Sequence, residues 1–86
     1  MDRYGHEQLN MHLYLGGHLN QFDPLHRVDL ELEVLERQSL RELLSALKIP
    51  AAEVFLVIIN GEAVPLNEAS VQPEDRVKLY SPVGGG

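Results

Sequence analysis

Two stretches in the first half of the chain alternate between apolar and polar residues, a pattern typical of half-buried strands. The apolar positions of the first stretch are Leu9, Met11, Leu13 and Leu15. Gly16-Gly17 ends this strand, and a loop follows to Arg27. In the second stretch, residues 28–34, apolar side chains alternate with Asp29, Glu31 and Glu33. One face is apolar and the other acidic, which predicts an antiparallel strand with one face in water.

The apolar spacing then changes to that of a helix. Its apolar residues are Leu40, Leu43, Leu44 and Leu47, at positions i, i+3, i+4 and i+7. Ser39 and Glu42 have the spacing of a capping box, in which each can satisfy a free backbone N–H group. Pro50 disfavours helical geometry at the residue before it, so we predict that the helix ends there.

The rest of the chain predicts three further strands. Residues 54–59 form a continuous apolar run rich in β-branched side chains, which favours a strand. Asn60-Gly61 follows, the strongest short signal for a hairpin turn. Residues 62–66 form a short return strand, which Pro65 places at a sheet edge or ends early. The last strand is Arg76 to Tyr80.

This order of elements predicts an α+β fold, in which one main helix covers one face of a mixed sheet. The simplest closure pairs the last strand parallel to the first, in the middle of the sheet. That arrangement is the ubiquitin-like β-grasp. We expect a single domain over residues 1–86, with a frayed N-terminus over residues 1–8 and a flexible, projecting glycine tail over residues 82–86.

Composition narrows the classes of function. The chain contains no cysteine, so it has no thiolate nucleophile and no cysteine-based metal site. Its net charge of −6 argues against nucleic acid as a partner and is compatible with a basic protein surface. No apolar run is long enough for a membrane span and no secretory signal is visible, so we expect a cytoplasmic protein.

The side chains suggest no catalytic or metal centre. Histidines occur at His6, His12, His18 and His26. Their spacing does not match that of zinc sites, so we predict no metal and no bound cofactor. The three acidic residues of the second strand are interpreted as a solvated face, because nothing in the pattern predicts the cleft that paired-carboxylate catalysis needs.

The C-terminal glycines offer a different chemistry. Glycine has no Cβ, so a glycine tail can pass through a narrow channel into the active site of another protein. The reactive group would be the α-carboxylate of Gly86, which is ionised at neutral pH and needs activation before it can react. The chain has no phosphate-binding loop of its own. We therefore predict a substrate and carrier, with ATP used by a partner enzyme.

Residues 75–86 resemble the C-terminus of the MoaD/ThiS sulfur-carrier family, whose chains typically end in an Asp-x-Val strand followed by Pro-Pro-Val-Ala-Gly-Gly. Ser81 stands where the first proline is usual and Gly84 replaces the alanine, whereas Gly85-Gly86 matches. The Asn60-Gly61-Glu62 turn and the preceding helix are also similar. The long connection after Gly16 resembles the molybdopterin branch, that of the molybdopterin synthase small subunit, more than the thiamine branch.

The resemblance implies a sulfur carrier for molybdenum or tungsten cofactor synthesis. A ubiquitin-activating-type enzyme would adenylate Gly86, and a sulfur donor would convert it to a thiocarboxylate. Pro82, Val83, Gly84 and Gly85 would thread into the large subunit of molybdopterin synthase, where the sulfur passes to a pterin precursor. A thiamine-type carrier, a protein modifier joined through Gly86 and a plain interaction module remain alternatives.

The apolar run over residues 54–59 also predicts a docking surface. Only one face of that strand can pack against the helix, so the other is a candidate patch for a partner. We expect the patch to consist of Phe55, Val57, Ile59 and Tyr80, extended by Pro82 and Val83. The alternatives are that loops cover this face or that it forms a homodimer contact.

Overall fold

The structure is a computed structural model and describes residues 10–82. Within them one α-helix, α1, spans Leu40–Leu47. The strands are β1 (Asn10–Leu15), β2 (Asp29–Glu33), β3 (Gln38–Ser39), β4 (Leu56–Ile59), β5 (Glu62–Ala63), β6 (Ser70–Val71) and β7 (Arg76–Tyr80). Short 3-10 helices span Leu19–Phe22, Ala51–Glu53 and Leu66–Glu68.

Five of the strands form one mixed sheet in the order β2-β1-β7-β4-β5. β7 pairs parallel with β1, placing Leu13 opposite Val77 and Leu15 opposite Leu79. The other pairings in this sheet are antiparallel. The first and last strands thus lie side by side at the centre, as predicted, and the α+β architecture with a β-grasp sheet is confirmed.

The core lies between α1 and one face of the sheet. The helix contributes Leu40, Leu43 and Leu44, and the facing strand residues are Met11, Leu13, Leu15, Val57, Val77 and Leu79, all of them buried. Burying a side chain of this size stabilises a fold by about 1.5–3 kcal/mol. The predicted helical stripe is therefore confirmed, with Leu47 partly buried against the core, and so are the inward positions Met11, Leu13 and Leu15. Leu9 lies outside the described residues.

The two ends of α1 are closed by different devices. At the start, Ser39 Oγ accepts a hydrogen bond from the backbone N–H of Glu42 at 3.0 Å, as the capping signal predicted. At the end, Lys48 adopts a left-handed conformation with φ of 63°. Lys48 N–H then donates to Ser45 O, and Ile49 N–H to Leu44 O, which is the Schellman pattern. The helix therefore ends at Leu47, two residues before Ile49, where Pro50 was predicted to stop it.

The segment after the helix departs from the prediction at both strands. β4 begins only at Leu56, because the 3-10 helix at residues 51–53 turns the chain first. β5 comprises two residues and lies at the sheet edge, as expected for a strand followed by Pro65. The intervening turn is as predicted, with positive φ angles of 52° at Asn60 and 89° at Gly61.

Two short strands were not predicted from the sequence. β3 and β6 pair antiparallel in a small second sheet beside the N-terminus of α1. Two-residue strands are too short for an alternation to be visible. Residues 1–9 and 83–86 lie outside the described part of the chain, so the predictions made for them are not tested. Within residues 10–82, no helix combines the length and apolar content that crossing a membrane requires.

Candidate functional site

The chain leaves the sheet from its centre, where β7 is held on both sides. On the β1 side, Gly16 N–H donates to Leu79 O at 2.7 Å. On the β4 side, Phe55 N–H donates to Tyr80 O, also at 2.7 Å. The last residues of β7 therefore have a defined position immediately before the predicted tail, residues 82–86.

Ser81 extends this defined region by one residue. It is 5% exposed although it lies beyond the last strand. Its Oγ accepts a hydrogen bond from the backbone N–H of His18 at 2.8 Å. In the sequence, Ser81 stands out only as a substitution for proline, because nothing local predicts a partner that lies 63 positions earlier in the chain.

Two glycines make room for this arrangement. Gly17 has a φ of +63°, and a Cβ there would collide with Ser81 Oγ. At Gly16 a Cβ would come within 2.6 Å of the Tyr80 ring and 2.9 Å of the Tyr14 ring. The Gly16-Gly17 pair, predicted only to end the first strand, thus packs directly against the end of the last one.

Pro82 is exposed and begins the tail. Val83, Gly84, Gly85 and Gly86 lie outside the described residues, so their roles stay predictions. The structure locates the point from which they depart, next to Ser81 at one end of the sheet.

The predicted docking surface is partly wrong. Val57 is 3% exposed and belongs to the core, and Ile59 packs against that core. These two residues face the helix, so they cannot form an outer patch. Phe55 is 75% exposed, but it precedes β4 and does not follow the alternation of that strand.

The outer face of β4 carries the other apolar set. Leu56 pairs with Tyr80 and Ile58 pairs with Lys78 across the β4–β7 ladder. Ile58, Lys78 and Tyr80, together with Arg76 and the Asn60-Gly61 turn, line an open cavity of about 430 Å³ on this face. We use "outer patch" for Phe55, Leu56, Ile58 and Tyr80. Both faces of the apolar run looked alike in sequence, so the pattern could not decide which set turned outward.

The outer patch continues into a banded distribution of charge across the sheet. The acidic residues of β2 lie at one edge, and Arg76 and Lys78 lie on the central strand β7. The register aligns them, because Glu31 and Arg76 both pair with His12 of the intervening strand. At about 4.8 Å between neighbouring strands, the two bands are roughly 10 Å apart. A partner would meet apolar, basic and acidic strips in that order.

The Tyr14 ring of β1 packs against the Tyr80 ring at the end of β7. Their centroids are 5.7 Å apart and the rings are inclined at 56°. Because Tyr80 belongs to both the ring pair and the outer patch, this contact links the patch to β1.

The loop between β1 and β2 is closed by an ion pair that the sequence did not reveal. Asp23 is buried, and its carboxylate accepts hydrogen bonds from the backbone N–H groups of Leu25 and Arg27. The Arg27 guanidinium donates to both carboxylate oxygens, at 2.9 and 2.8 Å. These hydrogen bonds with Arg27 hold the pKa of Asp23 well below its usual range. A cavity of about 330 Å³ between this loop and the end of α1 is lined mainly by apolar side chains.

Among residues 10–82, no group of three or more histidine, cysteine or acidic side chains is arranged to hold a metal ion. His12 Nε2 and Asp29 Oδ1 lie 3.1 Å apart on the exposed sheet face, but two residues do not make such a group. The arrangement holds this pair on an open surface rather than in a cleft. What it offers is a fixed exit point for the chain beside an apolar and charged surface.

Comparison with known proteins agrees with this arrangement. The model of the ThiS family matches residues 16–86, which is well over half of the chain. Comparison with curated proteins and with solved structures gives no match. Carriers of this family work in general with adenylating enzymes and acceptor enzymes. The chain therefore belongs to the ThiS family, the family of MoaD- and ThiS-type carriers, and is a small sulfur-carrier protein.

Proposed function

We propose that this carrier holds its sulfur as a thiocarboxylate on Gly86 and delivers it for the synthesis of molybdopterin. The observation that carries the sulfur-carrier part of the proposal is the family match, which extends through Gly86 itself. The molybdopterin branch is inferred from the long connection after Gly16. The fold supports it, because the chain leaves a central strand at Ser81 beside the outer patch.

The chemistry needs two steps that the carrier does not catalyse. First, a Gly86 carboxylate oxygen attacks the α-phosphorus of ATP, forming an acyl-adenylate and releasing pyrophosphate. A sulfide-level donor then attacks the carbonyl carbon, the C–O bond to AMP breaks, and a thiocarboxylate remains. Since the chain contains no phosphate-binding loop, a ubiquitin-activating-type enzyme supplies the ATP site.

The length of the tail suits delivery into a partner. Five residues, from Pro82 to Gly86, reach at most about 3.3–3.6 Å each, or roughly 15–18 Å in total. This distance lets Gly86 enter an active site while the folded domain stays at its entrance. Glycine at the last three positions removes the side chains that would obstruct a narrow channel.

We propose that the partners dock on the outer patch. Phe55 and Leu56 lie beside the point where the chain leaves the sheet, since Phe55 N–H bonds Tyr80 O. Arg76 and Lys78 flank the patch, so the complementary partner surface is apolar with acidic groups opposite these two cations. One docking face then serves both the adenylating enzyme and the acceptor enzyme.

The molybdopterin branch is favoured by the long connection over residues 16–28. In the structure this connection carries a 3-10 helix and the Asp23–Arg27 ion pair, so it is an ordered element of the fold. We also propose a cytoplasmic location, since the adenylating partner uses ATP. The large subunit of molybdopterin synthase is the proposed acceptor.

A transfer assay tests the pathway. The thiocarboxylated carrier is mixed separately with a molybdopterin synthase large subunit and its pterin precursor, and with a thiazole-forming acceptor of the thiamine type. We expect sulfur to leave the carrier and enter the pterin only. Transfer to the thiazole alone would assign the carrier to the thiamine branch, and isopeptide linkage of Gly86 to lysines in cell extracts would indicate a protein modifier.

A further inference from the structure

We propose that Ser81 is a positioning residue, whose hydroxyl group fixes the direction in which the tail leaves the domain. The inference rests on the proposed function, because it concerns how Gly86 reaches the active site of a partner. It adds a role for a side chain that lies outside both the tail and the outer patch.

The position of Ser81 results from three hydrogen bonds to successive residues. Leu79 O accepts from Gly16 N–H, and Tyr80 O accepts from Phe55 N–H. Ser81 Oγ then accepts from His18 N–H at 2.8 Å. The first two bonds hold the backbone from opposite sides. The third adds a side-chain contact one residue beyond the ladder, where a strand end would otherwise fray.

The opposite side of this contact depends on Gly17. Its positive φ turns the chain so that the His18 N–H points at Ser81. A Cβ on Gly17 would collide with Ser81 Oγ and lie 2.9 Å from Ser81 N. The hydrogen bond therefore needs the serine hydroxyl on one strand end and the absence of a side chain on the other.

Pro82 carries the orientation of Ser81 into the tail. The proline ring fixes its own φ and restricts the residue before it to extended conformations. Bringing a flexible tail into one arrangement in a partner's active site costs conformational entropy. A first residue that is already fixed lowers this cost, and small displacements of the reacting groups slow a reaction. Loss of the hydroxyl should therefore slow the reaction at Gly86 more than it weakens docking.

An exchange experiment without any partner tests the contact itself. The amide hydrogen of His18 should exchange slowly with solvent in the wild-type chain and at least about 10-fold faster in Ser81→Ala, because its acceptor is removed. Equal exchange rates in the two proteins would overturn the proposal. Val71→Ala is the matched control, since it opens the core at a fully buried position in the small second sheet.

A kinetic experiment then tests the role. Single-turnover adenylation of Gly86 by the cognate activating enzyme should be about 10-fold slower in Ser81→Ala, with a Kd for that enzyme within about 2-fold of wild type. Gly17→Ala should slow adenylation to a similar degree. The double variant should react no more slowly than either single variant, because both substitutions remove the hydrogen bond between His18 N–H and Ser81 Oγ. Val71→Ala should lower the melting temperature and leave the adenylation rate unchanged.

The outcomes separate this inference from the proposed function. If wild-type Gly86 is not adenylated, the proposed function fails and this inference falls with it. If wild type reacts and Ser81→Ala reacts equally fast, only the role of Ser81 is refuted. Equal slowing in Ser81→Ala and Val71→Ala would also refute it, because general destabilisation would then explain the effect.

Discussion

Asn60 joins the hairpin turn to the start of the last strand through its carboxamide group. Its Nδ2 donates to Asp75 Oδ1 at 3.0 Å, and its Oδ1 accepts from Arg76 N–H at 2.9 Å. Asp75 is buried, and its other carboxylate oxygen, Oδ2, accepts from Gln72 N–H, so each oxygen has a partner. Asn60 therefore has two roles, tolerance of a positive φ and a specific polar contact.

Replacing Asn60 should cost more stability than replacing its neighbour in the turn. We expect Asn60→Ala to lower the free energy of unfolding by about 2–3 kcal/mol, since it removes two hydrogen bonds and keeps an unfavourable φ. Gly61→Ala should cost only about 1 kcal/mol, because its Cβ would meet open space and only the φ of 89° is strained. Urea unfolding measures both. Equal losses would show that the carboxamide contacts contribute nothing.

Asp23 should make stability depend on pH. Its folded-state pKa is lowered by the Arg27 hydrogen bonds, so the stabilisation is complete above the unfolded pKa of about 3.9 and is lost as the pH falls below it. We expect Asp23→Asn to unfold at a lower urea concentration than wild type at pH 7. The difference in urea concentration at the unfolding midpoint of the two proteins should narrow as the pH falls from about 4 to about 2.

The control for this prediction is Glu31→Gln on the exposed sheet face. A surface substitution of this kind should change stability little at either pH. If the urea midpoints of wild type and Asp23→Asn differ by the same amount from pH 7 down to pH 2, the assigned role of the ion pair is contradicted.

At the scale of elements, the helix depends on its first turn as well as on its apolar stripe. Removing the Ser39 side chain leaves the Glu42 N–H without its acceptor. We expect Ser39→Ala to lower the free energy of unfolding by about 1 kcal/mol, measured by urea unfolding. Ser39→Asp is the matched control and should retain wild-type stability, because aspartate accepts the same bond and suits the helix N-terminus.

The elements that sequence patterns predicted are those with a clear period or a specific turn signal. β1, β2, α1 and the Asn60-Gly61 turn belong to this group, and β7 has the predicted bounds. The face of β4 could not be predicted, since apolar residues occupy both of its faces. The Ser81–His18 and Asp23–Arg27 contacts could not be predicted either, because a hydrogen bond depends on tertiary placement and leaves no periodic signal.

At the scale of the whole molecule, the sheet packs one face against the helix and leaves the outer patch on the other, which is the proposed docking surface. The outer patch lies beside the exit of the chain, and the basic band of β7 flanks it. Apolar contact and charge complementarity would therefore act together in docking, and the charged part should be the one that responds to salt.

Charge reversal on β7 tests this docking surface. We expect Lys78→Glu to weaken binding to the adenylating enzyme by about 10-fold at low salt, with a smaller effect as the ionic strength rises. Lys48→Glu makes the same change in charge at the end of α1, outside the sheet, and should leave binding nearly unchanged. Calorimetry or surface plasmon resonance measures both. Equal weakening in the two variants would mean that net charge, rather than this face, controls binding.

The central claim is that Gly86 carries the sulfur, and intact-mass analysis tests it most directly. The chain is incubated with its cognate activating enzyme, ATP and a sulfur donor, beside a variant that lacks Gly86. We predict a wild-type mass increase equal to the replacement of one oxygen by sulfur, located at Gly86 by fragmentation, and no change in the variant. An unchanged wild-type mass with an enzyme proven active, or sulfur found elsewhere in the chain, would contradict the account.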